Sequence, residues 1–258
     1  MTPDMSDDER QAALEVRPSA NEPGALVTQL LTAIRELTIV PMPGADDDAR
    51  GESALFYPAV GLALGGVGLG VYGWLPAGMP SGVRATLIVG LLAVLSGGRH
   101  LAGVARTATV PGSPSDGAIS ARGIGVAAAL VLMQIWLLAG LTGGALIAGL
   151  LFAPTLSRWS MVAFAFGSRT VRGGTIDDLA LRGMKFREFA GASVLALGVT
   201  LTYTEAWGLV VILAVGVFAI GSRVLAHTAW GGVTRPLVDT VGVCNETIAL
   251  AMFALANG

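Results

Sequence analysis

The chain has 258 residues, of which 53% are hydrophobic and only 13% charged, with a formal net charge of −2. An ordinary soluble domain carries about 25% charged residues. With 36 glycines and apolar runs of about 20 residues, the chain reads as a polytopic membrane protein, and a net charge of −2 gives no sign of a nucleic-acid partner, so none is expected. The single cysteine, Cys244, excludes an internal disulfide and a cysteine-built metal cluster.

Met1–Gly24 is acidic and polar, lacks the basic and apolar regions of a signal peptide, and reads as a disordered or loosely attached cytoplasmic tail. Residues 25–258 read as one transmembrane helical domain. Ala25–Leu37 has apolar residues at helical spacing and is too short to span. Pro41 and Pro43 end it, and Gly44–Glu52 is an acidic loop. Hydropathy then predicts an all-α bundle of six to seven spans. They are Phe56–Leu75, Ala85–Leu95 extended at both ends, Ile124–Leu141, Gly143–Phe166, Phe189–Tyr203, Trp207–Ile220 and Val241–Ala256. Glycine and alanine within these runs suit close helix–helix approach in lipid.

Alternate loops carry the cations. Arg99, Arg106 and Arg122 fall within 96–123; Arg169, Arg172, Arg182, Lys185 and Arg187 within 167–188; Arg223 and Arg235 within 221–240. The remaining loops hold only Arg84. The positive-inside rule therefore places the N-terminus and the three basic loops in the cytoplasm. Fifteen of the sixteen basic residues are arginine. A GC-rich genome would give that composition, and so would phosphate binding, because a guanidinium grips phosphate with two parallel hydrogen bonds.

Polar groups against lipid are costly and mark three candidate sets. Asp239 and Glu246 lie seven residues apart on one helical face, roughly 10 Å apart along the axis, which is too far for both to ligate one Mg²⁺ directly. Asp239 also suits an N-cap of the last helix, and Glu246 a partner for Arg158 or Arg235. Arg158, in APTLSRWSMV, either snorkels to the interface or pairs with a carboxylate or phosphate. The stretch Ser96–Val110, SGGRHLAGVARTATV, holds Arg99 and His100, and on a helix it would put Ala102, Arg106 and Thr109 on one face.

Taken together the motifs resemble, in order, those of the cobalamin synthases, the adenosylcobinamide-GDP ribazoletransferases. The matching stretches are IRELTIVPMP, FYPAVGLALGG, GGRHLAGVARTATV, APTLSRWSM and GGVTRPLVDTVGVCNE, and the resemblance covers roughly residues 25–256. It implies a bacterial inner-membrane enzyme that joins α-ribazole, or its 5′-phosphate, to adenosylcobinamide-GDP and releases GMP. Mg²⁺ is the implied cofactor, and other membrane enzymes of the pathway are implied partners. Carried over residue by residue, the catalytic positions are His100, Asp239 and Glu246, with Asp239, Glu246 and Asp116 toward the metal. Arg106, Arg122, Arg158 and Thr107 fall to substrate binding.

The chain departs from the family pattern where it matters most. The family has Asp where this chain has Ala102, Arg106 and Thr109. The following segment is shortened to PGSPSDGAISARGIG, with Arg122 shifted by one position, and SRTVRGGTID replaces a Gly-Leu-Gly loop. Three readings stand on sequence alone: a divergent transferase in which Arg106 binds diphosphate, a non-catalytic homologue that keeps the fold, and an unrelated small-molecule transporter.

Overall fold

A computed structural model describes residues 23–109, 119–171 and 183–256; the tail to residue 22, Asp116, Arg172 and Arg182 lie outside them. Among the described residues the protein is a helical bundle. Helix α1 (Pro23–Leu37) buries Ala33 and Leu37. The acidic loop after it is tied back to α1, because the Asp46 N–H donates to Thr32 Oγ1 at 3.0 Å. It then coils through the short helix α2 (Arg50–Ser53) into α3 (Tyr57–Trp74), which opens with Pro58 in its first turn.

Helix α4 (Ser81–Leu95) and α5 (Arg99–Thr109) meet at a bend of 89°. The corner is Gly97–Gly98, both at positive φ (65° and 64°), a conformation glycine adopts without a Cβ clash. The second predicted span therefore extends only at its N-terminal end; the chain turns across the end of the bundle instead of continuing. Ile39 N–H donates to the Leu95 carbonyl at 2.8 Å, so the end of α1 is fastened to that corner.

Helices α6 (Ala121–Gly140) and α7 (Gly143–Ala165) match the predicted third and fourth spans and follow one another across two residues, yet α6 packs on α4, α5 and the last helix (Arg235–Leu255) and hardly touches α7. Helix α7 is the centre of the bundle and is buried along most of its length. Its Pro154 cannot donate to the Leu150 carbonyl. Helix α3 crosses there on Gly61 and Gly65: a Cβ at Gly65 would lie 2.4 Å from the Leu150 oxygen, and one at Gly61 2.5 Å from the Pro154 oxygen. Two glycines four apart thus let two backbones touch, which is how helices associate in lipid.

Helix α8 (Phe186–Trp230) has 45 residues and is interrupted at Glu205 (φ 51°, ψ −136°). Unbroken, it would be about 67 Å long, against a hydrocarbon core of about 30 Å. It instead folds back. Phe189 at its start stacks on Phe166 with ring centroids 4.6 Å apart, and Arg223 near its end lies beside Gly167, the next residue along. Its arms, 186–204 and 206–230, are the predicted fifth and sixth spans. Large apolar residues on the second arm, such as Leu213, Val217 and Ile220, face outward, as a lipid-facing surface requires.

Helix α9 (Arg235–Leu255) starts six residues earlier than the predicted last span, and the expected loop 221–240 shrinks to 231–234. Among the described residues five helices are long and apolar enough to cross a membrane, or six if the bent α4–α5 pair counts as one span, with the 45-residue α8 counted once. The chain is a multi-pass membrane protein. Its order of elements gathers Arg35, Arg50, Arg99, Arg106, Arg122, Arg187 and Arg235 at one end, while Arg84 lies at the other against the Tyr72 ring.

Candidate functional site

The site forms where α5 lies across the first turns of α9. Gly103 makes that approach possible, since a Cβ there would be 2.5 Å from Asp239 Cβ and 3.1 Å from the Pro236 carbonyl. One turn earlier on α5, His100 then reaches Asp239, with Nδ1 2.9 Å from Oδ1. Both residues are buried. An ionised carboxylate only accepts hydrogen bonds, so the donor of this bond is Nδ1–H. His100 Nε2 is buried without a hydrogen-bond partner among the described residues.

Asp239 is not the N-cap that the sequence also allowed. Thr234 holds that position, and Pro236 fits the first turn, so Asp239 falls inside the helix. Arg235, one turn earlier, places Nε 3.7 Å from Asp239 Oδ1 and Nη1 3.3 Å from Glu36 Oε2. The other oxygen of Glu36 is 3.3 Å from Arg50 Nε. Asp47 sits between Arg50, at 3.0 Å, and Arg35. Arg99 donates through Nη1 to the Arg35 and Glu36 carbonyls, each at 3.2 Å, and so caps the C-terminal end of α1.

These groups enclose a cavity of about 420 Å³ lined by Arg35, Glu36, Arg50, Arg99, Ala102, Arg106, Arg235 and Asp239. Five guanidiniums face two carboxylates. Arg106 is exposed at its rim and makes no hydrogen bond or ion pair among the described residues. A second, narrower cavity of about 60 Å³ runs into the apolar interior, and His100, Gln134, Arg158 and Glu246 line it among leucines and valines. The His100–Asp239 pair is the wall between the two.

The sequence candidates therefore divide. Asp239, Ala102 and Arg106 meet in the arginine-lined cavity, with His100 behind them. Glu246 is in the inner cavity, where its Oε2 lies 2.6 Å from Arg158 Nη1. Its partner is Arg158 and not Arg235. Arg158 does not snorkel: it is buried and also donates to Ser157 Oγ at 3.2 Å. Thr107 lines neither cavity, because its hydroxyl pairs with that of Thr240 at 3.0 Å along the α5–α9 seam. Arg122 is exposed on the first turn of α6 and lines neither. Thr109 ends α5, and its side chain lies outside the described set. Sequence reasoning missed Glu36 and Arg50 as site residues. The available signal was their place in the polar stretch flanking the Pro41–Pro43 segment.

Among the described residues the donor set does not suit Mg²⁺, which takes near-octahedral oxygen ligation. Position 102 offers a methyl group and position 106 a cation. Glu36 is held by two arginines, and Asp239 by His100 and Arg235. Asp239 and Glu246, the sequence-derived metal pair, line separate cavities, each with a cationic or imidazole partner of its own. Among the described residues no group of three or more His, Cys, Asp or Glu is placed to hold a metal ion.

The family model described as cobalamin-5-phosphate synthase matches residues 29–257. An adenosylcobinamide-GDP ribazoletransferase of Roseiflexus sp. is 30% identical over 250 residues, covering 87% of this chain and 88% of the relative. One from Pseudomonas putida is 32% identical over 228 residues, covering 83% and 90%. One from Chlorobaculum tepidum is 29% identical over 256 residues, covering 90% and 95%. No solved structure matches the chain.

Proposed function

We propose that this chain, which belongs to the cobalamin-5-phosphate synthase family, is a membrane-embedded adenosylcobinamide-GDP ribazoletransferase of cobalamin biosynthesis. In that reaction a ribose hydroxyl of α-ribazole, or of its 5′-phosphate, attacks the phosphorus linked to the corrinoid. A new O–P bond forms, the bond to the second phosphate breaks, and GMP leaves. The observation that carries the reading at the level of the site is the buried His100–Asp239 pair beside an arginine-lined cavity.

The pair supports a base role for His100. Asp239 holds Nδ1–H, which fixes the tautomer and leaves Nε2, on the inner-cavity side of the wall, as the acceptor for the hydroxyl proton of a nucleoside seated there. Asp239 is then a positioning residue, and Arg235 and Glu36 hold it in place. The arginines of the cavity suit the diphosphate, whose charge shifts toward the leaving GMP in the transition state. No step is routed through a metal ion, because the described residues of the site do not fit one. The gathering of basic residues at this end supports a cytoplasmic-facing site in the bacterial inner membrane.

The test is a reaction with membranes containing the full chain, adenosylcobinamide-GDP and α-ribazole. The reading expects cobamide and GMP in equal amounts, both lost in His100→Ala. Folded protein that yields neither product would show that the family fold is kept here without its activity.

A further inference from the structure

We propose that Arg99 and Arg106 grip the diphosphate linkage of the GDP-bearing substrate directly, so that binding requires no divalent cation. The proposal rests on the ribazoletransferase reading and adds to it how this chain handles charge.

Glu36, Asp47 and Asp239 sit among Arg35, Arg50 and Arg235, so three carboxylates answer three guanidiniums. Arg99 and Arg106 remain, and neither makes an ion pair with a described residue. Among the described residues Arg99 is anchored on two backbone carbonyls, which fix its position without cancelling its charge. Arg106 lines the same cavity from the exposed side. A diphosphate diester carries one negative charge on each phosphate, which matches the two unanswered cations.

Geometry agrees. Positions 99 and 106 are two turns apart on α5, so their Cα atoms lie about 10 Å apart on one face. Ala102 stands between them and keeps the cavity floor open. Two guanidiniums approaching from either side can each present a forked pair of N–H donors to one phosphate. A carboxylate at 102 or 106 would instead call for a cation to bridge it to the phosphates. Neither is present, and the two remaining cavity carboxylates are already occupied.

The experiment is equilibrium binding of adenosylcobinamide-GDP to the full chain in lipid nanodiscs, in EDTA and in millimolar Mg²⁺. Affinity in EDTA is expected within about twofold of that in Mg²⁺, and Arg106→Ala is expected to weaken it by about tenfold or more in both buffers. Arg106→Lys should recover only part, because an ammonium lacks the planar fork. Binding that appears only with Mg²⁺, or that Arg106→Ala and Arg99→Ala leave unchanged, would overturn the clamp while the ribazoletransferase reading stands. Failure to bind in either buffer would overturn both. Because Arg106 is exposed, its variants should not disturb folding, and Arg106→Lys provides the check.

Discussion

Replacing Glu246 by Gln would leave the Arg158 guanidinium charged inside the bundle. Arg158 is 4% exposed, its nearest anion is Glu246 at 2.6 Å, and its Nε has no hydrogen-bond partner among the described residues. Two unit charges at that distance attract by about 6 kcal/mol at an effective dielectric constant of about 20, and desolvation of both groups offsets much of this. Removing one partner is a different matter, since the remaining charge keeps its burial and loses its counter-ion. Glu246→Gln should therefore cost about 3–5 kcal/mol of stability. The double variant Arg158→Met with Glu246→Leu should recover most of that, because neither charge is then buried. Reversible unfolding in mixed micelles measures both. A single variant within about 1 kcal/mol of wild type, or a double variant less stable than the single, would refute the buried-pair account. Transferase activity in the folded double variant then separates a structural pair from one that touches substrate.

Further outcomes follow from the same contacts. Asp239→Asn presents an amide to His100 and favours the tautomer with the proton on Nε2. Turnover should fall by about 10²–10⁴-fold while adenosylcobinamide-GDP affinity changes little, as steady-state and binding assays would read. Gly65→Ala drives a Cβ into the Leu150 carbonyl and should destabilise the bundle by about 1–3 kcal/mol, whereas Gly66→Ala, which meets nothing within 4 Å, should stay within about 0.5 kcal/mol. Ala102→Asp with Arg106→Asp adds two carboxylates beside Asp239, and Mn²⁺ resonance should then report an ordered ion that the wild-type chain does not bind.

The bundle was largely legible because hydropathy is a local signal. Gly143–Phe166 is matched by Gly143–Ala165, and the expected interruption at 204–206 falls at Glu205. Hydropathy failed where a helix carries charge or turns without losing its apolar character. The last helix begins at Arg235 and not Val241, because Arg235 and Asp239 are satisfied by ion pairs that a local scan counts against a span. The 89° corner at Gly97–Gly98 depends on two positive φ angles, which a glycine pair permits without requiring. The site was legible in part. His100, Arg106 and Asp239 emerged from spacing and family resemblance. Glu36 meets Arg235 across 199 residues of sequence, a contact that the packing of α1 on the bundle creates and no local pattern encodes.

Attack on the corrinoid-linked phosphorus at the His100–Asp239 site fixes where a label on that atom must go. Adenosylcobinamide-GDP carrying a radiolabel on that phosphorus alone, incubated with the purified chain and α-ribazole in EDTA, tests it most directly. The label is expected to pass wholly into the cobamide, the GMP to be unlabelled, and His100→Ala to yield neither product. Label released with the guanosine nucleotide, or cobamide formed undiminished by the His100→Ala protein, would contradict it.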